Sequence, residues 1–135
     1  MRIVKVPLGN RSYDIKIGTG LLARVGRECA RLGLDRRCAI ISDRNVVPHY
    51  GKAAQEALAE AGFSAELVTI PAGETAKRLK VLESCYDRLA AHRLERKSFI
   101  VALGGGVVGD LAGFVSATYL RGVPFVQVPT TLLAQ

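Results

Sequence analysis

Phe99-Ile100-Val101-Ala102-Leu103 runs directly into Gly104-Gly105-Gly106-Val107-Val108-Gly109-Asp110, and this stretch decides the fold. Five apolar residues closed by glycine predict a short strand buried on both faces. The residues beyond the glycines, through Tyr119, are mostly apolar and predict a helix. A strand that turns through glycine into a helix is the βα unit of a parallel sheet.

The same unit recurs on both sides of it. Cys38-Ala39-Ile40-Ile41-Ser42 and residues 65–70 predict two earlier strands, and Phe125-Val126-Gln127-Val128 predicts a later one ending at Pro129. A helix is expected from about Val47 to Ala61, stopping at Gly62. Another carries Leu79, Leu82, Tyr86 and Leu89 on one face. Leu21, Leu22, Val25, Cys29 and Leu32 predict a helix over residues 20–32, ended by Gly33. Before it, two β-rich runs at residues 3–6 and 13–17 flank Gly9-Asn10-Arg11-Ser12 and predict a hairpin. The expectation is an α/β fold: a doubly wound parallel sheet with an amino-terminal β-hairpin. No internal repeat interrupts the single domain, residues 1–135, and the final Thr130-Thr131-Leu132-Leu133-Ala134-Gln135 reads as the capped first turn of another helix. The domain is therefore expected to be truncated at its carboxy-terminal end.

Composition narrows the function classes. Hydrophobic residues make up 49% and charged residues 23% of the chain, a globular balance. No apolar run approaches the roughly 18 residues of a membrane span, and Met1 to Pro7 lacks the pattern of a secretory signal, so a cytoplasmic location without membrane contact is expected. Cys29, Cys38 and Cys85 have no metal-ligand spacing and read as buried free thiols. With only His49 and His92 available, a catalytic zinc, which usually takes three protein ligands, is not expected to be bound here. The net charge of +7 is spread over separate segments, with no tryptophan and few aromatics. That pattern argues for solvated helix faces and no nucleic-acid partner.

In a doubly wound sheet, ligands sit beyond the carboxyl ends of the strands. That rule selects Ser42-Asp43-Arg44-Asn45, residues 71–77, residues 104–110 and Thr130-Thr131. Gly104, Gly106 and Gly109 satisfy G-x-G-x-x-G between a strand and a helix, where open backbone and the helix N-terminus suit a pyrophosphate. Tight packing of strand on helix would want glycine equally. No acidic residue follows Asp110, so a ribose must be read from upstream. Asp43 is placed either to accept its hydroxyls or to cap the segment that follows. Asp110, in the first helical turn, is stabilised there by the dipole whatever its role. Glu74 and Lys77, three apart, share a face and make an ion pair in the plain reading.

Two stretches carry a resemblance. Pro71-Ala72-Gly73-Glu74-Thr75-Ala76-Lys77 is similar to the P-x-G-E-x-x-K segment of the dehydroquinate synthase family. Residues 103–135, LGGGVVGDLAGFVSATYLRGVPFVQVPTTLLAQ, resemble that family's signature almost without a gap. The likeness extends through the SDxN segment at Asp43 and Asn45, and so covers essentially the whole chain. It implies a Rossmann-like NAD-binding domain joined to a helical carboxy-terminal domain, which this chain lacks, with the active site between them. The reaction implied converts 3-deoxy-D-arabino-heptulosonate 7-phosphate, a phosphorylated sugar acid, to 3-dehydroquinate in the shikimate pathway. It uses NAD and a divalent metal, zinc or cobalt, in a homodimer.

Carried over by position, the resemblance assigns Asp43 and Asn45 to the adenosine side of NAD. Glu74 and Lys77 flank the dinucleotide. Gly105, Gly106, Val107, Val108, Gly109 and Asp110 hold its pyrophosphate and adjoining ribose, and Thr130 and Thr131 reach it from the last strand. Arg121 would bind the substrate phosphate across the dimer interface, as a guanidinium fork can; a helix C-cap is its other reading. The family's next segment, V-D-S-S-x-G-G-K, and its Glu/His/His metal ligands lie beyond Gln135. No catalytic residue or metal ligand is therefore assigned within this chain, and the chain alone is expected to be inactive. Other sugar-phosphate cyclases, metal-dependent polyol dehydrogenases and a non-enzymatic nucleotide-binding module remain as alternatives.

Overall fold

A computed structural model of the chain describes residues 1–130. Six strands and four α-helices follow one another as β1 (Arg2–Val6), β2 (Tyr13–Ile17), α1 (Val25–Arg31), β3 (Arg37–Asp43), α2 (Lys52–Glu60), β4 (Ser64–Ile70), α3 (Leu79–Ala91), β5 (Phe99–Gly104), α4 (Gly106–Thr118) and β6 (Phe125–Pro129). β1 and β2 pair antiparallel as a hairpin. The other four strands form one parallel sheet in the order β4-β3-β5-β6.

The strand period of two divides the core into two layers. Cys38, Ile40, Phe99, Val101 and Leu103 face α1 and α2, against Val25, Cys29, Ala54, Ala57 and Leu58. Their sequence neighbours Ala39, Ile41, Ile100 and Ala102 face α3 and α4, against Cys85, Leu89, Val108, Leu111, Ala112 and Val115. β5 is buried along all six residues, as a continuous apolar run in a doubly covered sheet should be.

Two expected boundaries and one expected face shift. The first helix starts only at Val25, because Gly20 takes φ 70° and Leu22–Arg24 closes a tighter 3-10 turn. The helix expected from Val47 opens with a wide π-helical turn, Val47–Gly51, that contains Pro48, and becomes α-helical at Lys52. On α3 the buried residues are Cys85 and Leu89, while Leu79 is 84% exposed. Six positions of α-helix carry Leu79 about 120° away from the line of Cys85.

β4 is an edge strand, and side chains bind three of its carbonyls. Gln55 Nε2 donates to the Ala65 carbonyl (3.1 Å), Arg88 to that of Leu67 (3.0 Å) and His92 Nε2 to that of Ser64 (2.9 Å). Glu66 pairs with Arg88 and lies 3.7 Å from His92 Nδ1. Such side chains close an edge that would otherwise template another strand.

Candidate nucleotide site at the switch point

The strand order decides where the site lies. From β3 the chain moves outward to β4 on one side, then returns to β5 and β6 on the other. Loops leaving β3 and β5 therefore diverge in opposite directions, and the crevice between them is the topological switch point at which such sheets bind ligands. The carboxyl ends of the two strands are tied beneath it by buried Ser42, whose hydroxyl donates to the Leu103 carbonyl (2.6 Å).

Asp43 ends β3 at this crevice. Its Oδ1 accepts the backbone N–H groups of Asn45 (2.8 Å) and Val46 (2.9 Å), so the capping role left open by the sequence is real. Both bonds fall on one oxygen, and Oδ2 receives no bond among the described residues. Asn45 is exposed beside it.

The glycine loop divides into positions with different reasons for glycine. None of Gly104, Gly105, Gly106 and Gly109 has positive φ, so backbone freedom is not what they supply. A Cβ on Gly104 would stand 2.7 Å from Val108 Cγ2; that glycine serves strand–helix packing. A Cβ on Gly106 would meet nothing within 4 Å. Its space is open, at the first position of α4, where the Gly105 N-cap provides no side-chain cap and the first-turn amides lack intrahelical partners. A Cβ on Gly109 would come 2.7 Å from Gln127 Nε2. Val107 is partly buried and Val108 fully so, so Val108 has only its backbone to offer a ligand.

Glu74, Lys77 and Asp110 are brought together. Glu74–Ala76 is a single 3-10 turn after β4, and Lys77 just beyond it reaches Asp110 Oδ2 at 3.1 Å and Glu74 Oε2 at 3.7 Å. The hydrogen bond to Asp110, and secondarily the charge of Glu74, raise the Lys77 pKa above the ordinary lysine value. The ion pair expected between Glu74 and Lys77 is thus a triad linking the β4 loop to α4, where Asp110 falls just past the first turn expected for it, because the helix begins only at Gly106. Thr130 leaves β6 on the same side, exposed, with its N–H bonded to the Gly104 carbonyl (2.9 Å). Thr131 lies outside the described residues.

Arg121 stands apart from this crevice, past the far end of α4. Leu120 (φ 49°) and Arg121 (φ 66°) both adopt left-handed conformations before Gly122 (φ 116°), which is costly for non-glycine residues. The turn is held from its flanks by Gly122 N–H to the Tyr119 carbonyl (2.8 Å), Val123 N–H to the Ser116 carbonyl (2.8 Å) and Tyr119 Oη to the Leu94 carbonyl (3.2 Å). Arg121 is exposed and bonds to no carbonyl at the helix end among the described residues, which disfavours its C-cap reading. Gln127, beneath Gly109, escapes a reading of the sequence; a polar residue inside the apolar run 125–128 is its only signal. Among the described residues no three His, Cys, Asp or Glu side chains gather as a metal-ligand set. By themselves these residues do not fit the divalent metal that the resemblance implies.

Fold and site together define a doubly wound α/β chain whose loops meet at a switch point with one glycine opened toward solvent. The family described as 3-dehydroquinate synthase N-terminal matches residues 67–135, just over half of the chain, and the chain belongs to that family. It is 52% identical over 135 residues to a 3-dehydroquinate synthase of Pelobacter propionicus, covering 100% of this chain and 38% of that one. The chain thus spans little more than a third of the curated relatives it matches. Among solved structures it resembles 2-deoxy-scyllo-inosose synthase complexed with carbaglucose-6-phosphate, NAD+ and Co2+ (TM-score 0.88, 27% identity, covering 98% of this chain and 36% of that chain). It also resembles 2-epi-5-epi-valiolone synthase from Streptomyces hygroscopicus subsp. jinggangensis with NAD+ and Zn2+ bound (TM-score 0.76, 32% identity, covering 94% and 35%).

Proposed function

We propose that this chain is the NAD-binding portion of a cytoplasmic, dimeric 3-dehydroquinate synthase that acts on 3-deoxy-D-arabino-heptulosonate 7-phosphate. The observation that carries the reading is Gly106. A glycine with ordinary φ and no neighbour in front of it is not explained by the fold, but it is explained by a phosphate that must approach the backbone. The NAD-bound cyclases of the same fold support the cofactor. Three buried, unpaired cysteines fit a reducing compartment.

In this reading NAD lies across the switch point. The free amides at residues 105–108 bind its pyrophosphate beside Gly109, whose own N–H is held by the Gly105 carbonyl (3.0 Å), and Asp43 takes a ribose hydroxyl on Oδ2 while Oδ1 keeps the loop in place. Asn45 lies toward the adenosine. Asp110 and Lys77, already joined, border the adjoining ribose with Glu74, and Thr130 and Thr131 close the side toward β6. NAD supplies a hydride acceptor and, later in the same turnover, a hydride donor. The chain's own residues hold and orient it. Arg121, held out on a strained turn, presents its guanidinium to a substrate phosphate bound by the second copy.

The test is NAD titration of the 135-residue chain by calorimetry, for wild type and Gly106→Val. Wild type is expected to bind, and Gly106→Val to bind at least tenfold more weakly with its circular dichroism unchanged. Equal affinity in the two would overturn the pyrophosphate assignment. In a polypeptide of the relatives' full length, Arg121→Lys is expected to raise KM for the phosphorylated substrate at least tenfold, with NAD affinity unchanged. An unchanged KM would return Arg121 to a structural role.

A further inference from the structure

The amino ends of the parallel strands carry a second concave surface, which the nucleotide reading leaves unused. Gly33, Leu34, Asp35, Arg96, Lys97 and Pro124 line an open cleft of about 390 Å³ there. Asp35 lies two residues before β3, Lys97 two before β5 and Pro124 one before β6. These strands run parallel, so the cleft is at the opposite end of the sheet from the switch point. The six residues of β5 hold the two apart by on the order of 16 Å.

The cleft carries charges of both signs, and they do not meet. Asp35, Arg96 and Lys97 are exposed, and among the described residues none of the three belongs to an ion pair. The backbone fixes this arrangement. Asp35 N–H donates to the Lys97 carbonyl (3.2 Å). The hydroxyl of fully buried Ser98 accepts the Glu95 N–H (2.8 Å) and donates weakly to Asp35 Oδ2 (3.4 Å). The segments before β3 and β5 are thus locked to each other, while Asp35 Oδ1 receives no bond among the described residues. Half-buried Leu34 and Pro124, whose carbonyl accepts the Ile100 N–H (2.9 Å), add apolar surface.

We infer that this cleft binds an α-amino acid with an apolar side chain, taken up as the zwitterion. A simple anion would gain Arg96 and Lys97 but sit beside a carboxylate. A simple cation would gain Asp35 and oppose two cations. A ligand that carries both charges on neighbouring atoms satisfies both sides. Its carboxylate meets the guanidinium fork of Arg96 with Lys97 as a point charge. Its ammonium donates to Asp35 Oδ1, and its side chain covers Leu34 and Pro124. The volume falls in the range of small-ligand sites, about 300–1,000 Å³. Exposed charges contribute little singly, so the signature is selectivity for the zwitterion at millimolar affinity. The inference rests on the cleft and not on the NAD reading.

The experiment is titration of the isotope-labelled 135-residue chain with L-leucine, followed by amide NMR shifts. L-leucinamide, which lacks the carboxylate, and N-acetyl-L-leucine, which lacks the ammonium, are the comparison probes. Saturable shifts are expected at residues 33–35 and 96–98, with a Kd for L-leucine at least fivefold below that for either derivative. Asp35→Asn should weaken L-leucine at least fivefold and leave N-acetyl-L-leucine unchanged. Arg96→Gln should weaken L-leucine and N-acetyl-L-leucine but not L-leucinamide. The wild-type comparison alone keeps the proposal testable if either variant loosens the fold. No saturable shift at these residues, equal binding of the three probes, or tighter binding of inorganic phosphate than of L-leucine would overturn it, whatever the chain's affinity for NAD.

Discussion

The parallel sheet and the hairpin solve the same problem in opposite ways. β5 is buried along its whole length between two helical layers, and β4, at the sheet's edge, has its outward Ala65 and Leu67 carbonyls closed by Gln55 and Arg88. β1 and β2 bury no residue fully, and one ion pair ties them to α1. The sheet takes its stability from its own layers, whereas the hairpin requires support from outside itself. A closed edge refuses further strands.

The largest expected effect tests the self-sufficient half. Phe99 is fully buried on β5 and meets Phe63 edge-to-face with ring centroids 5.2 Å apart. Phe99→Ala should cost about 3–5 kcal/mol in urea unfolding, a large fraction of the stability of a domain of this size. A loss below about 1 kcal/mol would mean that the two-layer core is not what holds the sheet.

Next come the glycines at the end of β5. Gly104→Ala drives a methyl into Val108 and should destabilise by about 1–3 kcal/mol. Gly106→Ala should leave stability unchanged or raise it by up to about 1 kcal/mol, since the new methyl meets nothing and the unfolded chain loses freedom. If both substitutions cost the same, the division into a packing glycine and a ligand glycine is wrong.

A smaller effect is expected at the closed edge. Arg88→Ala removes the bond to the Leu67 carbonyl and the pair with Glu66 on a partly exposed surface. It should cost about 1 kcal/mol and promote concentration-dependent association through β4. Wild-type association behaviour in Arg88→Ala would show that the edge is closed by something else.

The smallest effect is a local one in the hairpin. The hydrogen bond from Lys16 holds the Glu28 carboxyl below its ordinary 4.5. A carboxyl depressed in the folded state stabilises above its unfolded value and loses that contribution as pH falls through the lower folded one. Amide protection at residues 2–6 and 13–17 should therefore decline as pH falls below 4.5, before protection in β5 changes. Loss of both together would join hairpin and sheet into one cooperative unit.

Much of this molecule was legible in its sequence. The apolar run 99–103 closed by glycines, and the runs at 38–42, 65–70 and 125–128, state the βα order, because burial on both faces leaves a local mark in residue type. The site's loops were legible for the same reason: polar and glycine residues directly follow those strands. Boundaries at Val25 and Lys52 were not, since Gly20 and Pro48 reset the backbone within a single turn.

What the sequence determined by itself is the kind of each element, its buried face and the family to which the chain belongs. Only the tertiary structure decided the order β4-β3-β5-β6, and with it the meeting of Asp43 with the glycine loop at the switch point. It also decided that Lys77 reaches Asp110 across 33 residues of chain, that Asp43 uses one oxygen as a cap, and that the hairpin turns Tyr13, Ile15 and Ile17 outward. The physical reason is range. Periodicity and turn chemistry act over a few residues and are written locally, whereas strand order, register and charge pairing are set by surfaces that become neighbours only when the chain is folded.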